Sequence, residues 1–254
     1  MELNAIYVIV AREIKKFIRE KSRLISALAR PLLWLFIVGA GISRLVPLEA
    51  GVPYTQFIYP GIIGMTILFS SILSSISIIW DKEFGFLKEI LVAPVSRFSI
   101  VVGKALSGTI VSTIQASLIL ALFPFLGFQL TVLQILAVLC ICASLSFCLS
   151  AFGIVLATFY DNYESFSVIM NFIIMPMFFL SGAMYPVKLL PDILKIVTKL
   201  NPLTYGIDAL KHVIFPQGIG TMGPDFSVLT NIAVIALASL AFVLIAGKAF
   251  ERKQ

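Results

Sequence analysis

The residues best suited to chemistry in this sequence are few and widely separated. The single histidine, His212, follows Asp208 by four residues, a spacing that places both side chains on one face of a helix. We expect the pair to form a surface hydrogen bond, and an acid–histidine pair with a functional role is the alternative. Cys140, Cys142 and Cys148 lie in one apolar run without a CxxC pair or a nearby histidine. They are therefore predicted to pack rather than to bind a metal.

A nucleotide-binding sequence is missing from the chain. No GxxxxGK[ST] pattern occurs, and Gly103 and Lys104 lack the preceding glycine that would build a phosphate-binding loop. With one histidine, the chain also lacks the cluster of carboxylates, histidines or serine–lysine pairs that a membrane enzyme would need. The sequence therefore predicts a protein that is not an enzyme and holds no cofactor of its own.

The composition places these residues in a membrane rather than in water. Of the 254 residues, 59% are hydrophobic and only 13% are charged, whereas soluble domains usually carry about 25% charged residues. A soluble core of this size would lack the polar surface to cover it. The net charge of +6 does not indicate nucleic-acid binding, because the basic residues lie between apolar runs and not in an aromatic-interleaved patch.

Six apolar runs predict transmembrane helices. They cover residues 24–46, 57–80, 105–126, 132–159, 166–180 and 227–246. Residues 1–23 form an amphipathic pattern, which predicts a helix in the membrane interface with its basic face toward the headgroups; a solvated arm is the alternative. Residues 183–225 hold five prolines and short apolar runs, which predict short re-entrant or interfacial helices at residues 193–200 and 205–215.

The distribution of basic residues predicts the orientation. With both termini cytoplasmic, the inner segments hold fourteen lysines and arginines and the outer segments hold five, as the positive-inside rule requires. The predicted fold is therefore an all-α, multi-pass protein of the cell membrane, with one domain over residues 1–254. The spans contain almost no ionisable residues at membrane depth, which argues against a gradient-driven carrier or channel.

A stripe of serines lies in the second predicted span. Its members are Ser70, Ser71, Ser74, Ser75 and Ser77. Small residues four apart allow helices to approach closely and to form interhelical hydrogen bonds. We expect these serines to pack within the chain, and a substrate-lining or dimer-facing stripe is the alternative.

Two polar segments carry a recognisable pattern. Residues 80–97 read WDKEFGFLKEILVAPVSR and run on to Lys104. Residues 179–186 read FLSGAMYP and are continued by LNPLTYGIDAL at residues 200–210. With these segments in this order among six spans, the whole chain resembles the ABC-2 type transporter permeases, especially their daunorubicin-resistance and nodulation-exporter branch.

The resemblance implies the transmembrane subunit of an ATP-binding cassette exporter. Such a subunit would form a homodimer, or a dimer with a related permease, in contact with membrane lipids. It would bind two copies of a separate P-loop ATPase, which would hold ATP and magnesium. The substrate would be a hydrophobic or amphipathic compound, such as a drug in multidrug efflux, a lipid or a glycolipid. A polysaccharide-exporting permease is the alternative.

The resemblance also implies two functional segments. Residues 81–104 would contain a coupling helix that docks on the ATPase through Lys82, Glu83, Phe84, Gly85, Phe86, Leu87, Lys88, Glu89 and Pro94. Residues 183–225 would form an outer gate region with Tyr185, Pro186, Asn201, Pro202, Tyr205 and Asp208. Lys82 stands where the family often has arginine, so the charge is kept while the bidentate fork is lost.

Overall fold

The computed structural model describes residues 2–20, 28–43, 53–86, 95–127, 129–216 and 223–251. Over these ranges the chain folds into helices joined by turns, and no strand occurs in them. The all-α prediction is therefore confirmed for the part of the chain that the structure describes.

The helices, in chain order, are α1 (Leu3–Arg19), α2 (Leu28–Ser43), α3 (Tyr54–Ser74), α4 (Ile76–Glu83), α5 (Arg97–Leu120), α6 (Val132–Phe159), α7 (Tyr163–Phe179), α8 (Asp192–Leu200), α9 (Pro202–Ile214) and α10 (Val228–Glu251). Helix α2 contains a π-helical turn at Trp34–Val38. Short 3₁₀ turns lie at Phe123–Leu126 and Val187–Leu189. Helices α3 and α4 follow each other through Ser75 and together form one 30-residue segment.

Four helical segments among the described residues are long and apolar enough to cross a membrane. They are Tyr54–Glu83, Arg97–Leu120, Val132–Phe159 and Val228–Glu251, and they match the second, third, fourth and sixth predicted spans. Helices α2 and α7, at the first and fifth predicted spans, are shorter apolar helices, below the roughly 20 residues of a straight span. The two ends of the first predicted span, residues 24–27 and 44–46, lie outside the described residues.

Helix α5 begins earlier than its apolar run predicted. Ser96 Oγ accepts a hydrogen bond from the backbone N–H of Ser99 and caps the helix, so its first residue is Arg97. Lys104, expected at the edge of a span, therefore lies inside the helix. At the other end the helix stops at Leu120, and Gly127, with a φ of +78°, closes the predicted turn.

The serine stripe packs against small residues of α5 and α6. Ser71 Oγ donates to Ser112 Oγ at 2.9 Å. A Cβ added to Gly108 would collide with Ser74, and one added to Gly153 would collide with Ser75. Close approach between the helices thus depends on this pattern, and packing within the chain is confirmed for Ser71, Ser74 and Ser75.

The two short helices predicted in the proline-rich region are present, as α8 and α9. Helix α9 is buried between α3, α6 and α10. The side chain of Ile207 lies against Gly64 of α3, and Leu145 of α6 lies against Gly206. Gly64 is ten residues from the start of α3, which corresponds to about 15 Å along the helix axis. Helix α9 therefore reaches toward the middle of the bundle.

Candidate functional site

Charged side chains gather where α1 crosses the ends of α4 and α5. Asp81 and Lys104 are only 5% and 6% exposed. Lys104 Nζ donates to Asp81 Oδ2 at 2.7 Å, and Arg12 Nη2 donates to Asp81 Oδ1 at 2.8 Å. Lys104 Nζ also donates to Glu13 Oε1 at 2.7 Å and to Ser77 Oγ at 3.1 Å. These five residues are called the ion-pair cluster below.

The ion-pair cluster fixes α1 to the bundle. A buried charge is costly unless it is paired, so two carboxylates and two cations in contact stabilise this arrangement of the three helices. The Arg12 guanidinium also lies 4.3 Å from the centroid of the Phe86 ring, and Lys16 Nζ lies 4.2 Å from that of Trp80. Both cations were expected on a face turned toward headgroups; here they contact the chain itself.

The next two residues of α4 contact two further helices. Lys82 Nζ donates to the carbonyls of Ala157 at 2.8 Å and Tyr160 at 2.6 Å, at the carboxyl end of α6. Glu83 Oε1 accepts from the backbone N–H of Tyr163 at 3.0 Å, at the start of α7. A cation at a helix carboxyl end and an anion at an amino end satisfy unpaired backbone groups and match the helix dipole. With the preceding aspartate, three consecutive side chains connect the end of α4 to α1, α5, α6 and α7.

The predicted docking segment leaves the bundle just after these contacts. Phe84 is 83% exposed and Phe86 is 39% exposed, with Gly85 between them at a φ of +76°. The Lys82 side chain is only 11% exposed, so its charge faces the chain. Phe84, Gly85 and Phe86 are called the phenylalanine tip below. The remaining docking residues lie outside the described residues: Leu87, Lys88, Glu89 and Pro94.

At the opposite end of the bundle, Asn201 joins α7 to α9. Its Nδ2 donates to the carbonyl of Met177 at 2.7 Å, and its Oδ1 accepts from the backbone N–H of Leu203 at 3.1 Å. The second contact caps α9, and Pro202 occupies the first turn, where no backbone donor is needed. The structure therefore uses Asn201 and Pro202 to position the start of α9.

Three other residues of the predicted gate region also make internal contacts. Tyr205 Oη donates to the Lys199 carbonyl at 2.8 Å, which ties α9 to α8. Tyr185 Oη donates to the Phe179 carbonyl at 2.5 Å, and burial raises the pKa of Tyr185 above its ordinary value. The hydroxyl therefore stays protonated and remains a donor. Pro186 is buried beside it.

Asp208 is buried, so the expectation of a surface hydrogen bond between it and His212 is wrong. Asp208 is 3% exposed. Its carboxylate accepts from the backbone N–H groups of Asp225 and Phe226 at 2.6 and 3.2 Å, and from Asn231 Nδ2 at 2.8 Å. His212 Nε2 is 3.7 Å from the carboxylate but 2.8 Å from the Phe226 carbonyl oxygen. Asp208 thus holds the segment that leads into α10.

Lys211 is a buried cation, although it is one of the five basic residues of the predicted outer segments. It is 2% exposed, its Nζ donates to the Gly182 carbonyl at 2.8 Å, and it lies 5.1 Å from the centroid of the Phe57 ring. The spacing offered one indication, because Lys211 follows Asp208 by three residues and so shares its helix face. Asp81 and Lys104 offered none, since they are 23 positions apart and meet only when α4 packs on α5.

The cysteines carry free thiols. Cys142 and Cys148 are buried in the core, as the packing prediction required, whereas Cys140 is exposed. Among the described residues, no group of three or more His, Cys, Asp or Glu could hold a metal ion.

Comparison with known proteins finds a match to one family and similarity to several proteins. The family model described as ABC-2 type transporter matches residues 4–215. A transport permease named ycf38 from Cyanophora paradoxa is 35% identical over 217 residues, which cover 83% of this chain and 74% of that protein. The inner membrane transport permease YadH of Escherichia coli (strain K12) is 26% identical over 95% of this chain and 93% of its own. Nodulation protein J of Rhizobium meliloti is 27% identical over 82% of this chain and 80% of its own.

Proposed function

Because the chain belongs to the ABC-2 type transporter family, and is thus a multi-pass transport permease, we propose that it is the membrane subunit of an exporter. It would move a hydrophobic or amphipathic compound out of the cytoplasm. Permeases of this family generally work with a separate ATPase subunit, and this sequence has no GxxxxGK[ST] loop. We therefore assign the binding of ATP and Mg²⁺ to this partner ATPase. Two copies of the ATPase would bind a homodimer of this chain.

The observation that carries the proposal is the phenylalanine tip. Phe84 is 83% exposed at the end of a helix whose three preceding charged side chains are engaged with neighbouring helices. An exposed aromatic ring on an anchored segment is the kind of residue that dominates protein–protein contacts. We therefore assign the main ATPase contact to the aromatic rings. Lys82 and Glu83 would hold the end of α4 in place beside the tip through their contacts with α6 and α7. The docking surface would continue through Leu87, Lys88, Glu89 and Pro94.

Because the phenylalanine tip is anchored to the bundle, movement of the tip would be transmitted to the helices that contact α4. Helices α3 and α4 follow each other through Ser75 and form a 30-residue segment, about 45 Å long, so a push on the tip would act along two helices joined end to end. Helices α1 and α5 would move together with α4, because the ion-pair cluster links them. Separating these charges would leave an unpaired charge in a buried site. Lys82 and Glu83 would move the adjoining ends of α6 and α7 in the same way.

Helix α7 connects this end of the bundle to the predicted gate. Its first N–H group bonds to Glu83, and the Met177 carbonyl near its last turn accepts from Asn201. The helix has 17 residues and is about 25 Å long. A shift of α4 would therefore reach α9 through one short helix. Asp208 and Tyr205 would transmit the shift onward to α10 and α8.

This mechanism requires α2 and α7 to act as the first and fifth spans, and six spans would place both termini on the same side of the membrane, which we assign to the cytoplasm. The excess of basic residues in the inner segments supports that orientation. Short apolar helices cross a bilayer when it thins locally around them. Helices α8 and α9 would then enter the membrane from the outer face, supported by the contact of Ile207 with Gly64.

The test is co-purification of a tagged chain with its P-loop ATPase from membranes, in matched variants. Phe84→Ala is expected to weaken ATPase association about tenfold or more. Phe125→Ala is the control, because Phe125 is 82% exposed at the opposite end of the bundle. The purified chain alone is expected to hydrolyse no ATP. Robust hydrolysis without a partner, or equal effects of the two substitutions, would contradict the proposal.

A further inference from the structure

Helix α8 has two different exposed faces. Ile193, Ile196 and Leu200 are 77%, 63% and 80% exposed and form an apolar stripe along the helix. Lys195 and Lys199 are four residues apart and therefore share a second face, roughly a third of a turn away from the stripe. The side chain of Lys195 is 34% exposed, and Lys199 is also exposed. These two residues are called the lysine face below.

The end of α8 lies deep within the bundle. The next residue, Asn201, donates to the carbonyl of Met177 in α7, about 21 Å from the start of that helix beside Glu83. Leu203 lies against Gly64 of α3, about 15 Å from the opposite end of the bundle. The segment formed by α3 and α4 is about 45 Å long, whereas the hydrocarbon core of a bilayer is about 30 Å thick. With the core centred on that segment, the end of α8 lies inside the hydrocarbon layer.

The start of α8 lies nearer the outer surface. The backbone N–H of Val187 donates to Asp225 Oδ2 at 3.3 Å, which ties the segment before α8 to the segment before α10. Helix α8 therefore leads inward from that surface. Its one acid, Asp192, is 96% exposed at the first position and pairs with Lys195 at 3.1 Å. Lys199 is the deepest charged residue of the helix.

A lysine at this depth must face water. Charged side chains within a membrane are costly in lipid, and they line water-filled cavities or the interior of the protein. Lys199 is exposed, so it does not face the interior of the chain. The apolar stripe provides a separate face of the same helix that suits lipid. Walls of low dielectric constant would strengthen the positive potential of the lysine face and favour anions.

We propose that the lysine face lines a water-filled cavity that opens to the outer side and binds the anionic group of an amphipathic compound. The two ammonium groups donate to a carboxylate, sulfate or phosphate, which are strong acceptors for charged donors. The Lys199 carbonyl accepts from Tyr205 Oη at 2.8 Å, so the bound compound lies beside the start of α9. Identifying it as the transported compound rests on the proposed exporter function; the cavity and its preference for anions do not.

Cysteine accessibility tests whether the lysine face meets water. Cys140, which is exposed, is replaced by serine, while Cys142 and Cys148 are buried and stay in place. Lys199→Cys is compared with Ile196→Cys, on the apolar stripe, in phosphatidylcholine vesicles treated with membrane-impermeant charged methanethiosulfonates. Lys199→Cys is expected to react about tenfold faster or more, because the reactive thiolate forms in water and not in lipid. Equal rates at the two positions would overturn the proposal, as would slow reaction at both, which would indicate lysines that reach the headgroups from within lipid.

The charge of the reagent tests the preference for anions. In Lys199→Cys, the remaining Lys195 should raise the rate with the anionic sulfonatoethyl reagent relative to the cationic trimethylammonioethyl reagent. Lys195→Gln should lower this ratio about threefold, which is the effect of one nearby charge in water with salt screening. Lys15→Gln removes an exposed lysine of α1 and is the control. Equal effects of the two substitutions would reveal general surface attraction and contradict the proposal.

Amphipathic probes test the nature of the ligand. Octyl sulfate is expected to slow labelling of Lys195→Cys about threefold more than octyl glucoside, which has the same chain and no charge. Adding Lys199→Gln should abolish this difference. Inorganic sulfate that protects as well as octyl sulfate would indicate a site for free anions. Phosphatidylglycerol vesicles that protect without octyl sulfate would indicate a site for lipid headgroups. Either result would overturn the proposal.

These measurements use the chain without its ATPase, so the two proposals fail separately. If the lysine face does not meet water or does not prefer anions, the exporter proposal still stands. If the chain does not associate with an ATPase, the exporter proposal fails and the anion site still stands.

Discussion

Neutralising Asp81 is the sharpest test of how α1 is held. Asp81→Asn removes the carboxylate that Lys104 and Arg12 share at 2.7 and 2.8 Å. Breaking a buried pair by removing one partner typically costs about 3–5 kcal/mol. Lys104 keeps Glu13 at 2.7 Å and Arg12 is 44% exposed, so the expected loss of unfolding free energy is smaller, about 2–3 kcal/mol.

A double-mutant cycle isolates the pair. Asp81→Asn with Lys104→Met removes both buried charges, and we expect it to recover about 2 kcal/mol relative to the sum of the single variants. Equilibrium unfolding in mixed micelles measures these values. Trypsin cleavage within α1 gives a second reading, since a released helix exposes its basic residues to the protease.

An ion pair on the surface of the protein is the control for this prediction. Asp192 pairs with Lys195 at 3.1 Å but is 96% exposed, so Asp192→Asn should change neither unfolding nor cleavage. If the Asp81–Lys104 coupling is below about 0.5 kcal/mol, or if α1 stays protected in Asp81→Asn, the ion-pair cluster does not hold α1 to the bundle.

Other positions give equally direct expectations. Lys211→Met should lower stability in detergent by about 1–3 kcal/mol, because the buried Gly182 carbonyl loses its donor. Asp208→Asn removes one of the two carboxylate acceptors and should speed hydrogen exchange at residues 225–226, measured by mass spectrometry. Gly61→Ala should lower the melting temperature, since its Cβ would lie 2.6 Å from a backbone oxygen. Gly41→Ala should not, because among the described residues no atom beyond its own helix lies within 4 Å of the added Cβ.

Local pattern accounts for much of the fold. The long apolar runs coincide with the helices at Tyr54–Glu83 and Val132–Phe159, because backbone and side chains in a bilayer leave few alternatives to a helix. The proline-rich region showed where short helices begin, since Asn201 and Pro202 form a helix start by their own chemistry. These features depend on residues within a few positions of one another.

Contacts between residues distant in the chain could not be predicted from the sequence. The spacing of Asp208 and His212 predicts a surface pair, yet the segment before α10 folds over Asp208. Lys82, which is predicted to be a docking residue, also contacts the end of α6, 75 positions away. No spacing within a segment carries that information, because it arises from the packing of one helix on another.

Membrane residence, the helical class and the absence of a nucleotide-binding loop were therefore determined by the sequence itself. They follow from composition and short motifs, which act wherever the chain lies. The pairing of Asp81 with Lys104 and the burial of Lys211 were decided only by the tertiary structure. The physical reason is that burial and pairing of a polar group are properties of its neighbours, and those neighbours are brought together only by folding.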